Sequence, residues 1–299
     1  MIETFSIDLS YGIRLSCRAA GPATAPVLMF LHGFPEAAFV WDELLEHFAS
    51  RYRCIAPNLR GYERSSAPAE VEAYRARHMV GDIAALIDRL GGTIEALVAH
   101  DWGGGIAWNL AVQYPKLLKR LVIINSPHPA AFLRELQTSP AQQATSAYMN
   151  FLCRPDAELL LAEDDFARLW PFFRPAGATG ADWLTDAVKD QYRTVWRQGL
   201  TGALNYYRAS PLRPPTADDA SVMKLQFAPE FVTVRVPTLV IWAEADTALP
   251  TTLLDGLQAF VPIMTLVRIP DATHWVIHEQ PARIAREIDA VLGESHTTT

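Results

Sequence analysis

The sequence contains few cysteines, and their positions exclude several kinds of protein. Only three occur among 299 residues, Cys17, Cys54 and Cys153, and they lie far apart without the spacing of metal ligands. An odd number of scattered cysteines is not the pattern of a disulfide framework either. We therefore expect no metal site and a reducing, cytoplasmic location.

Clusters of basic residues are also missing. The 33 acidic residues outnumber the 26 basic ones, the formal net charge is −7, and no run of Lys or Arg occurs. Proteins that bind nucleic acid or an anionic membrane surface need a basic patch. The composition therefore argues against both kinds of partner and favours a small molecule.

Long apolar runs are absent as well. No run approaches the roughly 20 residues that a helix needs to span a bilayer. The opening stretch MIETFSIDLS lacks the basic and apolar regions of a targeting signal. We expect neither a membrane span nor a targeting segment.

What the sequence does contain is a regular alternation of apolar and helical segments. Half of the residues are hydrophobic, which is enough for one large core. Most of the apolar runs are continuous, as in strands buried on both faces of a mainly parallel sheet. The predicted strands are ETFSIDL, IRLSCRA, VLMFL, YRCIAP, ALVAH, RLVIIN, TLVIWA and TLVRIP. Helices are predicted at 80–90, 104–114 and 281–292, so the fold class is α/β.

One interval breaks this alternation. Between about Pro127 and Pro229 the sequence has helix-like stretches such as AQQATSAYMNFL and GLTGALNYYRA, interrupted by RPAGATG and SPLRPP, but no convincing buried strand. The interval holds many aromatic residues, which disfavours a disordered linker. We therefore predict a helical cap at 127–229, inserted after the sixth strand into a core formed by 1–126 and 230–299.

The stretch VAHDWGGGIAW, residues 98–108, joins a predicted strand to a predicted helix and carries Asp101 at the turn. A sharp turn needs small neighbours, which Ala99, Gly103 and Gly104 provide. The turn would present Asp101 at the carboxyl end of the sheet, beside a helix N-terminus that favours negative charge. The alternative is an ordinary helix cap, because Asp is a preferred N-cap residue.

Two further polar residues follow the last two predicted strands. Asp246 lies in LVIWAEADTALP and His274 in IPDATHWVIHEQP, so both are expected at the same sheet edge as Asp101. Their order along the chain, nucleophile, acid and then histidine, is that of the α/β-hydrolase triad.

The loop FLHGFPE, residues 30–36, follows the third predicted strand. In the α/β-hydrolase scheme this loop and the residue after the nucleophile each offer a backbone N–H to an oxyanion hole. The candidate donors are Phe34 and Trp102. A plain turn is the alternative for this loop, because Gly and Pro occur in loops of every kind.

With these features, the chain resembles the epoxide hydrolase branch of the α/β-hydrolase superfamily over nearly its whole length. The matching motifs are HGFPE, PNLRGYERSSAP, AHDWGG, NSPHP, WAEADTALP and ATHWVIHEQP, in the family's order. Asn58 and Glu63 stand where the family more often has Asp and Gly, and Ala99 replaces a common Gly. The resemblance implies an α/β-hydrolase fold with an eight-stranded, mostly parallel sheet and a helical cap, and it implies no metal or organic cofactor.

An aspartate nucleophile suits a saturated carbon better than a carbonyl. An aspartate side chain has a reference pKa of about 3.9, so it is ionised at neutral pH and can displace a leaving group to form an alkyl ester. His274, oriented by Asp246, would then activate a water that attacks the carbonyl carbon of Asp101. We therefore expect a two-step hydrolase whose product oxygen comes initially from Asp101.

The leaving group distinguishes the related enzymes. An epoxide leaves as an alkoxide, which needs a weak acid such as tyrosine. The resemblance implies that the paired cap tyrosines are Tyr148 and Tyr207, with Tyr206 as a less favoured substitute. For any single tyrosine the alternative is an ordinary half-buried aromatic residue. We also expect Phe34, Trp102 and Tyr206 to contact the substrate.

Several alternatives use the same fold. Haloalkane dehalogenases also carry Asp-Trp at this turn, but many have a halide-binding Asn where this chain has Phe34. Fluoroacetate dehalogenases use arginines soon after the nucleophile, and WGGGIAW contains none. A non-catalytic binding protein would not need Asp246 behind His274, and a serine esterase would need a serine at the turn.

The hypothesis is therefore an epoxide hydrolase that converts a neutral, lipophilic epoxide and water to a vicinal diol. A haloalkane or haloacid dehalogenase with the same aspartate nucleophile is the alternative. The sequence does not indicate an oligomeric state.

Overall fold

Eight strands form the centre of the computed structural model, which describes residues 1–173 and 182–293. The strands are β1 (Glu3–Asp8), β2 (Arg14–Ala20), β3 (Val27–Leu31), β4 (Arg53–Pro57), β5 (Ala96–His100), β6 (Leu121–Ile124), β7 (Thr238–Ala243) and β8 (Met264–Ile269). Their order in the sheet is β1, β2, β4, β3, β5, β6, β7, β8. β2 pairs antiparallel with β1 and β4, and every other pair is parallel. The predicted eight-stranded, mostly parallel sheet is confirmed.

The central strands are apolar throughout because both of their faces are covered. β3 and β5 are buried along their whole length. Successive side chains of a strand point to opposite faces, so each strand contributes to two apolar layers. In β5, Leu97 and Ala99 belong to one layer, and Ala96 and Val98 belong to the other.

Helices cover these two layers. They are α1 (Asp42–Phe48), α2 (Ala76–Arg89), α3 (Asp101–Gln113), α4 (Pro129–Thr138), α5 (Pro140–Thr145), α6 (Tyr148–Leu152), α7 (Ala157–Phe166), α8 (Trp170–Phe173), α9 (Asp186–Trp196), α10 (Thr201–Ala209), α11 (Val276–Glu279) and α12 (Pro281–Gly293). α2 and α3 pack on one face of the sheet, and α1 and α12 pack on the other. α3 begins three residues before its predicted start, because it follows β5 directly. Among the described residues, no helix has the length and hydropathy to cross a membrane.

The segment between β6 and β7, residues 125–237, is called the insertion here. Its described residues form the helices α4 to α10, with short 3-10 turns and no strand. Trp170, Phe173, Tyr192 and Trp196 form an aromatic cluster within it, with ring centroids 4.7–6.4 Å apart. Such a cluster supplies the apolar core that an ordered helical segment needs. The predicted interruption at 174–180 lies outside the described residues.

α3 crosses the sheet so closely that only glycine fits at two of its positions. A Cβ atom on Gly103 would overlap the carbonyl oxygens of Leu31 and His32, and one on Gly104 would overlap the Ser126 side chain. Gly105 on the same helix is different, since its Cβ would meet no atom closer than 3.9 Å. The close approach sets the position of the residue at the start of α3 relative to β3.

We expect Gly103→Ala to destabilise the protein by about 1–3 kcal/mol, because the new methyl group must push α3 away from β3. Gly105→Ala is the matched control. It should leave the stability unchanged or raise it by up to about 1 kcal/mol, since alanine restricts the unfolded chain. Urea unfolding followed by circular dichroism measures both free energies. Equal effects of the two substitutions would contradict the packing argument.

Candidate active site

Asp101 begins α3 at the carboxyl end of β5, in the left-handed backbone region with φ of 50°. This conformation is strained for a residue with a side chain and persists only where its surroundings hold it. The Ser126 hydroxyl donates a hydrogen bond to the Asp101 carbonyl at 2.6 Å. Gly33 leaves room beside the Asp101 side chain, since a Cβ there would overlap it. The strained turn is thus supported from two neighbouring loops.

The Asp101 carboxylate lies between a backbone donor and an imidazole. The Phe34 N–H donates to Oδ1 at 2.7 Å, and Oδ2 lies 3.8 Å from Nε2 of His274. The Trp102 N–H lies in the first turn of α3, where backbone donors lack an intrahelical acceptor. In the described part of the chain, no hydrogen bond joins this N–H to the Asp101 carboxylate. The Phe34 N–H therefore contacts the carboxylate, and Trp102 directly follows Asp101 at the start of α3.

Asp246 follows β7 and His274 follows β8, and the sheet brings them together. Nδ1 of His274 lies 2.6 Å from Oδ2 of Asp246. The other carboxylate oxygen, Oδ1, accepts the N–H groups of Ala248 and Leu249 at 2.9 and 3.0 Å. Both oxygens of this buried acid are therefore paired, which a buried charge requires.

Asn125 is a further member of this group that the sequence reasoning missed. The side-chain nitrogen of Asn125 donates to Oδ2 of Asp246 at 2.9 Å, and the side-chain oxygen Oδ1 accepts the Ala243 N–H. The available signal was a polar residue at the carboxyl end of the apolar run RLVIIN. A polar side chain at that end of a buried parallel strand lies at the edge where ligands bind in open α/β sheets.

Neighbouring charges determine the protonation of His274. Burial lowers the pKa of this imidazole, but the charge and hydrogen bond of Asp246, followed by the charge of Asp101, raise it to about 9. Burial raises the pKa of Asp246, but His274 and the Asn125 amide outweigh burial and hold it below its usual value. His274 is therefore protonated at neutral pH as long as both carboxylates are charged.

A second buried carboxylate, Glu36, lies behind His274 and was also missed. It accepts hydrogen bonds from Tyr192 at 2.9 Å and from His278 at 2.7 Å, and it lies 3.3 Å from Nδ1 of His100. Burial raises the pKa of Glu36, but the bonds with His100 and His278 lower it well below its usual range. His100 in turn bonds the backbone carbonyl of His274 at 2.9 Å. The only signal in the sequence was an acid at the end of the apolar loop FLHGFPE.

The insertion reaches this loop at a second point. The indole N–H of Trp196 donates to the Pro35 carbonyl at 2.7 Å, next to the Tyr192 bond with Glu36. Both aromatic residues belong to α9. The loop that offers the Phe34 N–H is therefore held by α9 of the insertion.

Tyr148 and Tyr207 come from different helices of the insertion and line the same cavity as Asp101. Tyr148 is the first residue of α6, and Tyr207 lies on α10. Their rings are 6.2 Å apart, centroid to centroid. Burial raises the pKa of both phenols well above the usual value; after burial, Asp101 raises that of Tyr148, and Tyr148 and Asp101 raise that of Tyr207. Both side chains are therefore neutral proton donors.

Tyr206 lies next to Tyr207 on α10 but has a different partner. Its buried hydroxyl donates to the Arg60 carbonyl at 2.8 Å, and it is not among the residues that line the cavity. Successive side chains of a helix point about 100° apart, so only one of two adjacent tyrosines faces the cavity. Tyr206 faces the Arg60 carbonyl instead of the cavity, and its contact with substrate stays a prediction. Trp102 also lies outside the lining, with its ring edge-on to Tyr207 at 5.1 Å, whereas Phe34 lines the cavity as expected.

The cavity at the sheet edge has a volume of about 290 Å³. Its lining residues are Phe34, Asp101, Thr145, Tyr148, Pro171, Phe172, Tyr207, Asp246, Thr247, Ala248, Leu249, Thr273, His274 and Trp275. Apart from Asp101, Asp246 and His274, the described part of the lining is uncharged, and much of it is aromatic. Within residues 1–173 and 182–293, no group of His, Cys, Asp and Glu has the arrangement of a metal site. The cavity brings together the Asp101 carboxylate, the imidazole of His274 bound to Asp246, and two phenols.

Comparison with known proteins identifies the family. Residues 26–281 match the family described as alpha/beta hydrolase fold. Epoxide hydrolase 4 of Mus musculus is 33% identical, and the match covers 95% of this chain and 77% of that protein.

Two solved structures are similar over almost the whole chain. The crystal structure of Bacillus megaterium epoxide hydrolase in complex with an inhibitor has a TM-score of 0.87 and 28% identity, covering 97% of this chain and 100% of the other. An epoxide hydrolase from metagenomes of hot environments has a TM-score of 0.87 and 38% identity, covering 99% and 100%. The resemblance inferred from the sequence motifs is confirmed: the chain belongs to the epoxide hydrolase family of the α/β-hydrolase superfamily.

Proposed function

We propose that this protein hydrolyses a neutral, lipophilic epoxide to a vicinal diol through an ester on Asp101. One observation carries the proposal: a single cavity is lined by Asp101, by His274 bound to Asp246, and by two phenols. A nucleophile, a water-activating base and an acid for an alkoxide are the groups that this reaction needs. The names of the similar proteins support the same reaction.

In the first step, a carboxylate oxygen of Asp101 attacks one epoxide carbon, and the bond between that carbon and the ring oxygen breaks. The electron pair of this bond goes to the oxygen, which takes a proton from Tyr148 or Tyr207. The raised pKa values of the two phenols keep the proton on them until the alkoxide, a stronger base, develops. Two neighbouring phenols can also share the hydrogen bonds to this oxygen.

In the second step, His274 accepts a proton from water, and the resulting hydroxide oxygen attacks the carbonyl carbon of the Asp101 ester. The bond between that carbon and the substrate oxygen then breaks, and the substrate oxygen takes the proton from His274 to complete the diol. The carboxylic acid left on Asp101 gives its proton to the phenolate, which restores the enzyme. Ester formation removes the negative charge of Asp101, which is one of the causes that raise the pKa of His274. The pKa therefore falls from about 9, and the imidazole can lose its proton and act as the base. The N–H groups of Phe34 and Trp102 would stabilise the oxyanion.

We further propose that residues 127–229 act as a cap on a core made of 1–126 and 230–299. The proposal is supported by the origin of the cavity lining, because Tyr148, Phe172 and Tyr207 belong to the insertion and Asp101 and His274 to the core. A cap that closes over the nucleophile excludes bulk water and strengthens electrostatic interactions within the site.

The lining of the cavity supports a neutral and lipophilic substrate. None of the lining residues within 1–173 and 182–293 is Lys or Arg, while Asp101 and Asp246 bring negative charge, so a small carboxylate such as fluoroacetate would be repelled. Phe34, Phe172 and Trp275 offer aromatic surface to an apolar substituent. Phe34 has no side-chain N–H for a halide, which favours an epoxide over a haloalkane.

We also propose a cytoplasmic location, on the basis of the cysteines. Cys17, Cys54 and Cys153 are all unpaired. Burial raises the pKa of Cys17 and Cys54 to about 12, so these thiols are unreactive. Unpaired cysteines are usual in a reducing compartment.

The ester intermediate is directly testable. In a single turnover with excess enzyme in oxygen-18 water, we expect diol that carries unlabelled oxygen, because its new oxygen comes from Asp101. His274→Gln should accumulate the ester, seen by mass spectrometry of the intact protein as an increase equal to the mass of the epoxide.

The substrates for this experiment are a panel of aryl and alkyl epoxides, with chloroalkanes and fluoroacetate beside them. Labelled oxygen in the first-turnover diol, or an unmodified His274→Gln protein despite loss of epoxide, would exclude the ester scheme. Halide release without diol formation would instead overturn the substrate class.

The acid role of the tyrosines predicts a specific loss in the first step. Tyr148→Phe and Tyr207→Phe together should slow ester formation by about 100-fold or more, and each alone by less, because one phenol remains. Tyr206→Phe is the matched control: its hydroxyl bonds the Arg60 carbonyl, so ester formation should proceed at the wild-type rate. Rapid-quench mass spectrometry measures the rate. If the double variant opened epoxides as fast as the control, the acid assignment would fail.

The raised pKa of His274 predicts a pH dependence for the second step. The rate constant of ester hydrolysis should rise with pH to a plateau, with its midpoint below about 9, because only neutral His274 accepts a proton. Asp246→Asn removes the largest cause that raises this pKa, so its midpoint should move to lower pH and its plateau should fall. Single-turnover decay of the ester across pH measures both. A midpoint unmoved by Asp246→Asn would contradict the electrostatic account.

A further inference from the structure

A buried amide outside the catalytic group connects the insertion to the loop that holds Asp246. Gln142 lies on α5, and its side chain is 0% exposed. Its Nε2 donates to the Ala248 carbonyl at 3.0 Å, to the Ser146 hydroxyl at 2.8 Å and, more weakly, to the Thr145 hydroxyl at 3.3 Å. Residues 246–249 are called the acid loop here. The amide of Gln142 thus binds one acceptor in the acid loop and two hydroxyls in the insertion.

The contact with the acid loop involves the peptide groups that bind the catalytic acid. The Ala248 N–H donates to Oδ1 of Asp246 at 2.9 Å, while the carbonyl of the same residue accepts from Gln142. The Leu249 N–H is the other donor to Oδ1, at 3.0 Å. The Gln142 bond fixes the Ala248 carbonyl. This restricts the two peptide groups whose N–H groups, those of Ala248 and Leu249, bind Asp246.

The contact within the insertion is equally specific. Ser146 lies in the turn between α5 and α6, and α6 begins at Tyr148. Thr145, the last residue of α5, lines the cavity, and its hydroxyl also approaches the Ala248 carbonyl, at 3.4 Å. Gln142 therefore joins the acid loop to the insertion at the wall of the cavity.

The side-chain oxygen of Gln142 shows that this residue does more than fill space in the core. Among the described residues, Oε1 of Gln142 is buried without a hydrogen-bond partner. An unpaired buried oxygen is unfavourable, and an apolar side chain of the same size would avoid it. The amide is therefore best explained by what its N–H groups do.

We propose that Gln142 is a positioning residue for ester hydrolysis: it holds the acid loop so that Asp246 keeps His274 aligned with the Asp101 ester. This role rests on the proposed two-step function. Asp101 attack and proton donation by the tyrosines do not depend on the alignment of His274, so Gln142 acts on the second step and leaves the first unchanged.

Gln142→Met tests this role, because methionine has a similar length and offers no N–H. With styrene oxide as the substrate, the ester should decay about tenfold more slowly while it forms at the wild-type rate. In a two-step scheme, slower hydrolysis lowers kcat and KM together and leaves kcat/KM unchanged. Rapid-quench mass spectrometry and steady-state kinetics measure these quantities.

Gln137→Met is the matched control. Gln137 also lies on a helix of the insertion, and its Nε2 donates to two carbonyls, those of Val222 and Leu225, outside the acid loop. We expect both of its rate constants to stay within about twofold of wild type. Gln142→Leu is a second apolar variant. Rate constants are referenced to the fraction of molecules that form the ester, so partial unfolding of a variant does not alter them.

The outcomes separate the two proposals. Wild-type protein that forms no ester and no diol from epoxides contradicts the proposed function. If the wild type forms the ester, unchanged decay in Gln142→Met and Gln142→Leu overturns the positioning role. A loss in kcat/KM at constant KM, or an equal slowing in Gln137→Met, overturns it as well.

Discussion

The negative charge around His274 is the constraint on which the rest of the site depends. Asp246 and Asp101 raise the pKa of this imidazole against the effect of burial, and the charge of Glu36 contributes in the same direction. Buried carboxylates persist only when they are paired and hydrogen-bonded. Asp246 has donors on both oxygens, and Glu36 bonds Tyr192 and two imidazoles. Many of the surrounding polar groups therefore stabilise the charges of Asp246 and Glu36.

The parallel sheet gathers these groups because the carboxyl ends of its strands share one edge. Phe34 follows β3, Asp101 follows β5, Asp246 follows β7 and His274 follows β8. Residues far apart in the chain therefore meet without long connecting loops. The helices that cover the sheet, and the close crossing of α3 over β3, make the spacing between them rigid. The insertion contributes the phenols of Tyr148 and Tyr207 to the same cavity.

Local patterns predict the strands and the positions of Asp101, Asp246 and His274, because most strands are apolar runs and each of these residues lies in the turn or loop after one. Local patterns do not decide between Tyr206 and Tyr207. Which of these two adjacent side chains faces the cavity depends on the rotation of α10 against the core. Glu36 and Gln142 are missed because their partners lie far along the chain, 64 residues away for His100 and 106 for Ala248. Only the folded chain reveals such pairs.

The hydrogen bonds between α9 and the loop at Pro35 and Glu36 have a consequence for how such proteins diverge. Tyr192 and Trp196 bond Glu36 and the Pro35 carbonyl, beside the Phe34 N–H that contacts the Asp101 carboxylate. The insertion and the core are therefore not interchangeable modules. A chimaera that took its helical segment from a relative would need matching residues on this loop, so the two parts are expected to be inherited as one unit.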